Sequence, residues 1–149
     1  MAKTVRVDVV TPDKVAYSGE AEQVIAPGVT GSLGILPGHA PLLTILGTGP
    51  VILKLGQDVV ELAVSEGFMQ AMPDKVIILA ETAERAEEID LARAEAALGR
   101  ARAELKRRQD RKQHAEIMAA LRRAINRIHV AQDYRQRKPE RSGRVRDSN

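Results

Sequence analysis

The sequence feature that most constrains the fold is a change of periodicity near residue 81. Before this point, short apolar runs alternate with segments that contain proline or glycine. From Glu87 to Lys138 there is no proline and a single glycine, Gly99. Short interrupted runs are typical of strands and turns, whereas a long stretch without breakers is typical of helix. The sequence therefore predicts two structurally different parts.

The first part has the pattern of many short β-strands. Val5, Val7 and Val9 alternate with polar residues, which is the period of a half-buried strand. Further strand-like runs cover residues 24–26, 34–36, 51–55, 59–64, 67–71 and 76–80, and breakers at 27–28, 37–38, 47–50, 56–58 and 73–74 separate them. Short strands at near-regular spacing predict an antiparallel β-sandwich or barrel over residues 1–84.

The second part has the pattern of two amphipathic helices. Apolar residues recur every three or four positions in two sets: Leu91, Ala94, Leu98, Ala101 and Leu105, then Ile117, Leu121, Ala124, Ile128 and Ala131. The polar segment 109–114 between them predicts a short connection and hence an antiparallel two-helix hairpin over residues 85–135. The expected fold class is α+β. Residues 136–149 are rich in charge and are predicted to form a disordered basic tail.

The alanine content of the two helical stripes predicts a weakly held hairpin. Alanine permits close approach but buries little surface, and buried apolar area contributes only about 25 cal/mol per Å². Gly99 adds a cost of roughly 1 kcal/mol relative to alanine inside a helix. We therefore expect the hairpin to be a mobile element.

The charge is divided unequally between the two ends of the chain. Residues 1–99 hold 7 Lys/Arg and 14 Asp/Glu, a net charge of −7, whereas residues 100–149 hold 16 and 6, a net charge of +10. A basic segment of this kind favours an acidic partner. Nucleic acid is not the expected partner, because only 2% of the residues are aromatic and cannot form a stacking platform for bases.

No pattern of catalytic residues is present in the sequence. There is no cysteine, no His-Glu-x-x-His zinc motif and no phosphate-binding glycine loop. His39 is expected to make a local hydrogen bond, and His114 and His129 lack metal-ligand spacing. No apolar run approaches the roughly 20 residues that span a bilayer. We therefore expect a non-enzymatic protein without a signal peptide, a membrane-spanning segment or a metal site.

Four segments carry a resemblance to a known family. Residues 31–42 read Gly-Ser-Leu-Gly-Ile-Leu-Pro-Gly-His-Ala-Pro-Leu, Gly47-Thr48-Gly49 follow, and Val10-Thr11-Pro12 and Val64-Ser65-Glu66-Gly67-Phe68 flank them. Over residues 3–133 the chain resembles the epsilon subunits of bacterial F-type ATP synthases. Taken alone, residues 34–42 also fit a plain strand–turn–strand unit, and the whole pattern also fits a β-adaptor with a coiled-coil dimerisation arm.

The resemblance implies a function for each part of the chain. It implies a non-catalytic central-stalk subunit that couples the catalytic head to the membrane ring in proton-driven ATP synthesis. The β-domain would bind the gamma subunit and the c-ring, while the basic helices would meet acidic loops of the beta and alpha subunits and inhibit ATP hydrolysis. The protein would lie peripherally at the cytoplasmic face of the bacterial cell membrane and would require no cofactor.

The resemblance also implies a regulatory ATP site. Residues 89–94 are similar to the Ile/Leu-Asp-x-x-Arg-Ala signature of ATP-binding epsilon subunits, and the implied ligand set is Glu84, Ile89, Asp90, Arg93, Ala94, Arg100, Arg123 and Arg127. Arginines converging from two helices suit a triphosphate. Asp90 also fits a simple helix start, since an acidic residue there complements the helix dipole. The two interpretations are compatible.

Overall fold

The structure of the protein, a computed structural model, describes residues 3–107 and 111–137. Ten strands come first: β1 Val5–Val10, β2 Val15–Ala21, β3 Gln23–Gly28, β4 Gly31–Ile35, β5 Leu42–Leu46, β6 Gly49–Leu55, β7 Asp58–Val64, β8 Gly67–Ala71, β9 Lys75–Ala80 and β10 Ala83–Arg85. A single 3-10 turn, Ala86–Glu88, leads to helices α1 Leu91–Arg107 and α2 Arg111–Arg137. The predicted α+β fold class is confirmed.

The strands form one sheet that nearly closes on itself. Their order is β10-β7-β6-β3-β5-β8-β9-β1-β2, with β4 paired to β3 beside this path. All pairs are antiparallel except β1 with β9, which is parallel. Arg85 in β10 donates from Nε to the carbonyl of Ala16 in β2 at 3.2 Å, and its guanidinium carbon lies 5.3 Å from the Tyr17 ring centroid. This side chain joins the two ends of the strand order.

The core of the β-sandwich is aliphatic and is built from the first part of the chain alone. Alternate residues of each strand point inward, which is the reason for the period-2 pattern in the sequence. The largest fully buried side chains are Ile35, Leu46, Leu53, Leu62, Met69 and Ile78. All buried members of this cluster lie between Val5 and Ala83. The sandwich therefore has a complete core without the helices.

Three strands were not predicted, each for a physical reason. In β2 the one fully buried residue is Ala21, so the strand has no apolar alternation to read. In β5 apolar residues occupy both faces, and in β10 there are only three residues. Of the predicted breakers, residues 27–28 lie inside β3, and the second half of the segment 47–50 forms the start of β6. Pro27 lacks an N–H but still accepts a hydrogen bond from the Gly47 N–H at 2.8 Å.

The helices form the expected hairpin, with small differences at the boundaries. Five of the predicted stripe residues are buried, namely Ala94, Ala101, Ile117, Ala124 and Ala131. Since α2 begins at Arg111, His114 lies within this helix rather than in the predicted connection 109–114. The predicted boundary after residue 84 falls inside β10, and Gln136 and Arg137 of the predicted tail are helical. Residues 138–149 of that tail lie outside the described residues.

Candidate functional site

The hairpin lies folded against the outer face of the β-sandwich. Its contact is a small apolar cluster in which Ala63 of β7 is joined by Ala86, Ile89, Ala94, Val130 and Ala131. Because four of these six residues are alanines, the cluster buries little apolar area, as the sequence predicts. Polar contacts therefore matter for holding the helices in place.

Asn126 is the central polar contact between α2 and the sheet. Its Nδ2 donates to the carbonyl of Gly49 at 2.9 Å and to the carbonyl of Val64 at 3.2 Å. Asparagine is a poor helix former, so an asparagine inside α2 was a signal for such a contact. The sequence analysis did not use it.

Two adjoining cavities lie at the hairpin, one where it meets the sheet and one between its two helices. The first, of about 290 Å³, is lined in part by Glu84, Arg123 and Arg127, and the second, of about 370 Å³, by Arg93, Arg100 and Arg127. Ala97 and Arg127 line both. The structure thus brings together five of the eight residues implied to bind ATP, although they are up to 43 positions apart in the sequence.

Arg127 and Glu84 are already paired with each other. The Arg127 Nε lies 2.6 Å from one oxygen of Glu84, and its Nη2 donates to the other at 3.1 Å. The Nε is fully enclosed and its contact is ionic rather than a well-aligned hydrogen bond. One hydrogen bond and one ionic contact together fix the guanidinium group between α2 and β10. A phosphate that entered here would have to share or replace the Glu84 carboxylate.

The other three residues implied to bind ATP, Ile89, Asp90 and Ala94, lie outside both cavities. Asp90 caps α1, since its Oδ1 accepts a hydrogen bond from the Arg93 backbone N–H at 3.1 Å. The predicted helix-start role of Asp90 is therefore confirmed. Ile89 and Ala94 are buried in the apolar cluster beneath the helices and do not line either cavity.

The predicted role of His39 is also confirmed. Its Nδ1 lies 2.6 Å from the Ala40 carbonyl, which is a local hydrogen bond. Over residues 3–107 and 111–137, no cluster of three or more potential ligands could hold a metal ion. Neither helix, within the same residues, is long and apolar enough to cross a membrane.

An exposed apolar row crosses the outer face of the sheet, away from the cavities. Ile45 pairs with Phe68 and Phe68 with Leu79, in neighbouring strands β5, β8 and β9. These three side chains are 55%, 53% and 51% exposed. Contiguous exposed apolar side chains mark an interaction surface more often than isolated ones do. The sequence feature that indicates this exposed row is β5, because apolar residues occupy both faces of that strand.

Comparison with known proteins agrees with this architecture. Residues 4–86 match the family model described as the β-sandwich domain of the ATP synthase Delta/Epsilon chain, and residues 87–132 match its long α-helix domain. The ATP synthase epsilon chain of Desulforamulus reducens is 46% identical over 132 residues, which cover 89% of this chain and all of that protein. The Geobacter sulfurreducens epsilon chain is 47% identical, with 88% and 96% covered.

A solved structure shares the fold at lower sequence identity. A chain of the Euglena gracilis mitochondrial ATP synthase, determined by cryo-EM as OSCP, F1 and c-ring, aligns with a TM-score of 0.71 at 20% identity. The alignment covers 89% of this chain and 81% of that one.

A β-sandwich with a complete core, followed by a two-helix arm, is the architecture that both family regions describe. The chain belongs to the ATP synthase Delta/Epsilon chain family. The resemblance expected from residues 3–133 is thereby confirmed, as is the expectation of an accessory subunit rather than an enzyme.

Proposed function

We propose that this chain is a central-stalk subunit of an F-type ATP synthase, which couples the catalytic head to the membrane ring during proton-driven ATP synthesis. The β-sandwich would bind the gamma subunit and the c-ring, at the cytoplasmic face of the bacterial cell membrane. The observation that carries this proposal is the apolar row of Ile45, Phe68 and Leu79. These side chains are exposed to water in the isolated chain, and only the surface of a partner can bury them. The family relationship supports the gamma subunit and the c-ring as the partners.

The helices would inhibit ATP hydrolysis through their basic residues. Arg93, Arg100 and Arg102 on α1 and Arg122 and Arg123 on α2 are exposed in the folded hairpin. An exposed arginine loses little in water, yet forms short charge-assisted bonds at an acidic surface. Acidic loops of the beta and alpha subunits are the proposed surface. Because the alanine cluster under the hairpin is small, releasing the hairpin from the β-sandwich costs little free energy.

Removal of the hairpin tests both parts of this proposal together. A fragment of residues 1–86 retains the whole β-sandwich core, and we expect it to co-purify with the gamma subunit as the full chain does. In the reassembled head, only the full chain should lower the rate of ATP hydrolysis. If the fragment is folded by circular dichroism but does not bind gamma, the β-sandwich is not the stalk-binding part. If both proteins affect hydrolysis equally, the helices are not inhibitory.

We further propose that ATP binds in the two adjoining cavities and favours the folded hairpin. Arg93 and Arg100 from α1 and Arg123 and Arg127 from α2 would neutralise the phosphates, and Glu84 would accept from the ribose or adenine. A ligand that bridges the two helices and β10 shifts the equilibrium by its differential affinity for the folded form. At free ATP of ten times its dissociation constant, the folded form gains about 1.4 kcal/mol.

Calorimetric titration of the isolated full chain with ATP tests this site. Arg93→Ala and Arg127→Ala should each weaken binding at least about tenfold, because each removes one charge-assisted contact worth roughly 1.5–3 kcal/mol. Asp90→Ala should weaken it less, through loss of the α1 cap. Arg102→Ala is the matched control, since this exposed arginine lines neither cavity. Equal affinity in all four variants, or binding weaker than several millimolar in the parent, would contradict the proposal.

A further inference from the structure

A buried carboxylate lies under the end of the second helix. Along β7, Val60, Leu62 and Val64 belong to or pack against the sandwich core, so Glu61 points to the opposite, outer face. An outer position of a sheet normally faces water, yet Glu61 is only 4% exposed. Its burial comes from α2, which lies over β7. Folding the hairpin onto the sheet therefore takes a carboxylate out of water.

Arg137, the last residue of α2, pairs with this carboxylate. Its Nη2 contacts Oε2 of Glu61, and the two side chains line a cavity of about 530 Å³ together with Asp133 and Gln136. Of the ion pairs in the described part of the chain, this one has the most buried acid: the Glu61 side chain is 2% exposed, against 32% for Glu84. Only here does the carboxylate lose nearly all of its hydration.

Arg137 lies beyond the end of the family-model match. The match to the α-helix domain ends at residue 132, five positions earlier. Glu61, in contrast, lies within the matched β-sandwich domain. The partner of the buried carboxylate is thus supplied by the last turn of α2, and neither the stalk role nor the ATP site makes use of it.

We propose that the Glu61–Arg137 pair is a latch that closes the hairpin onto the β-sandwich. When the hairpin is released, Glu61 returns to water at no cost. When it closes without a partner, an unpaired charge is buried, which is strongly unfavourable. The closed form is therefore favoured only if the last turn of α2 is in place over β7. This latch concerns the isolated chain and does not depend on the stalk role or on ATP.

The chain allows a direct measurement of hairpin opening. It contains no cysteine, so one Val130→Cys substitution places a unique and fully buried thiol in the cluster beneath the helices. That thiol reacts with a soluble disulfide reagent only when the hairpin opens, and the rate is proportional to the opening constant. The same background then receives Arg137→Ala, Glu61→Gln with Arg137→Ala, and Arg135→Ala as an exposed control in the same helical turn. Far-UV circular dichroism verifies that each variant keeps its β-sandwich.

The expected pattern of rates is specific to a latch. Arg137→Ala should raise the thiol reaction rate at least tenfold, which corresponds to about 1.4 kcal/mol at 25 °C. Adding Glu61→Gln should bring the rate back to within about threefold of the parent, because an amide is far less costly to bury than a charge. Arg135→Ala should leave it unchanged. The proposal is overturned if Arg137→Ala has no effect, if the double variant opens as fast as Arg137→Ala, or if Arg135→Ala opens equally fast.

Discussion

Replacing Gly67 with alanine is expected to destabilise the β-sandwich by about 3 kcal/mol or more, because there is no room for a side chain. A Cβ at this position would lie 1.9 Å from the Leu79 carbonyl oxygen and 2.8 Å from the Ala80 Cα. Both are backbone atoms of β9, where Gly67 pairs with Ala80. The sheet can accommodate the methyl group only by separating β8 from β9. Urea denaturation followed by circular dichroism measures the effect.

Gly99→Ala is the matched control for this substitution. No atom lies within 4 Å of a Cβ added to Gly99, which is exposed in the middle of α1. There the substitution should stabilise the helix by roughly 0.5–1 kcal/mol, because alanine is the better helix former. The two glycines should therefore respond with opposite sign. An unfolding midpoint for Gly67→Ala close to that of the parent would mean that β8 and β9 can separate at little cost.

Replacing Ile45 and Phe68 together with serine is expected to weaken binding to the gamma subunit at least about 100-fold, since buried apolar anchors at interfaces contribute 2 kcal/mol or more each. Both side chains are more than half exposed in the isolated chain, so the sandwich itself should keep its stability. Binding is measured by co-purification and by surface plasmon resonance with immobilised gamma subunit.

A matched pair of exposed apolar residues lies elsewhere on the sheet. Leu55 and Val59 flank the β6–β7 turn, away from the apolar row, and are 42% and 39% exposed. Their double replacement with serine should leave gamma binding unchanged. The apolar row is not the docking surface if the Leu55 and Val59 variant loses as much affinity for gamma as the Ile45 and Phe68 variant. The same conclusion follows if the Ile45 and Phe68 variant binds gamma normally.

Local periodicity predicted most of the fold. The elements that it missed form through contacts between residues far apart in the sequence. The alternation of Val5, Val7 and Val9 and the alanine stripes of the helices depend only on which face of an element is buried, so they can be read locally. By contrast, β10 is a strand because Ala83 pairs with Val64 of β7. Nothing in its three residues indicates that partner.

The candidate site shows the same limit. The sequence indicated Asp90 correctly as a helix start, whereas the ATP-binding role that the resemblance in residues 89–94 implies for Arg93 and the arginines of α2 stays a prediction. It did not indicate that Glu84 and Arg127 form an ion pair, nor that Asn126 fastens α2 to the ends of β6 and β7. Such contacts follow from the docking of the hairpin. The asparagine inside α2 signals a polar contact, but the sequence of neither part indicates its partners on β6 and β7.

The separation of the two apolar clusters has a consequence for how this chain can change over time. The sheet contributes a single buried residue, Ala63, to the described cluster beneath the helices, and every member of the sandwich core precedes the 3-10 turn. Substitutions in the helices therefore leave the folding of the sandwich almost untouched. The helical arm can accumulate new charges, lengthen or be exchanged for a different segment without a change in the core of the β-sandwich. A foreign ligand-binding segment joined after Ala86 would follow a β-sandwich whose core is already complete.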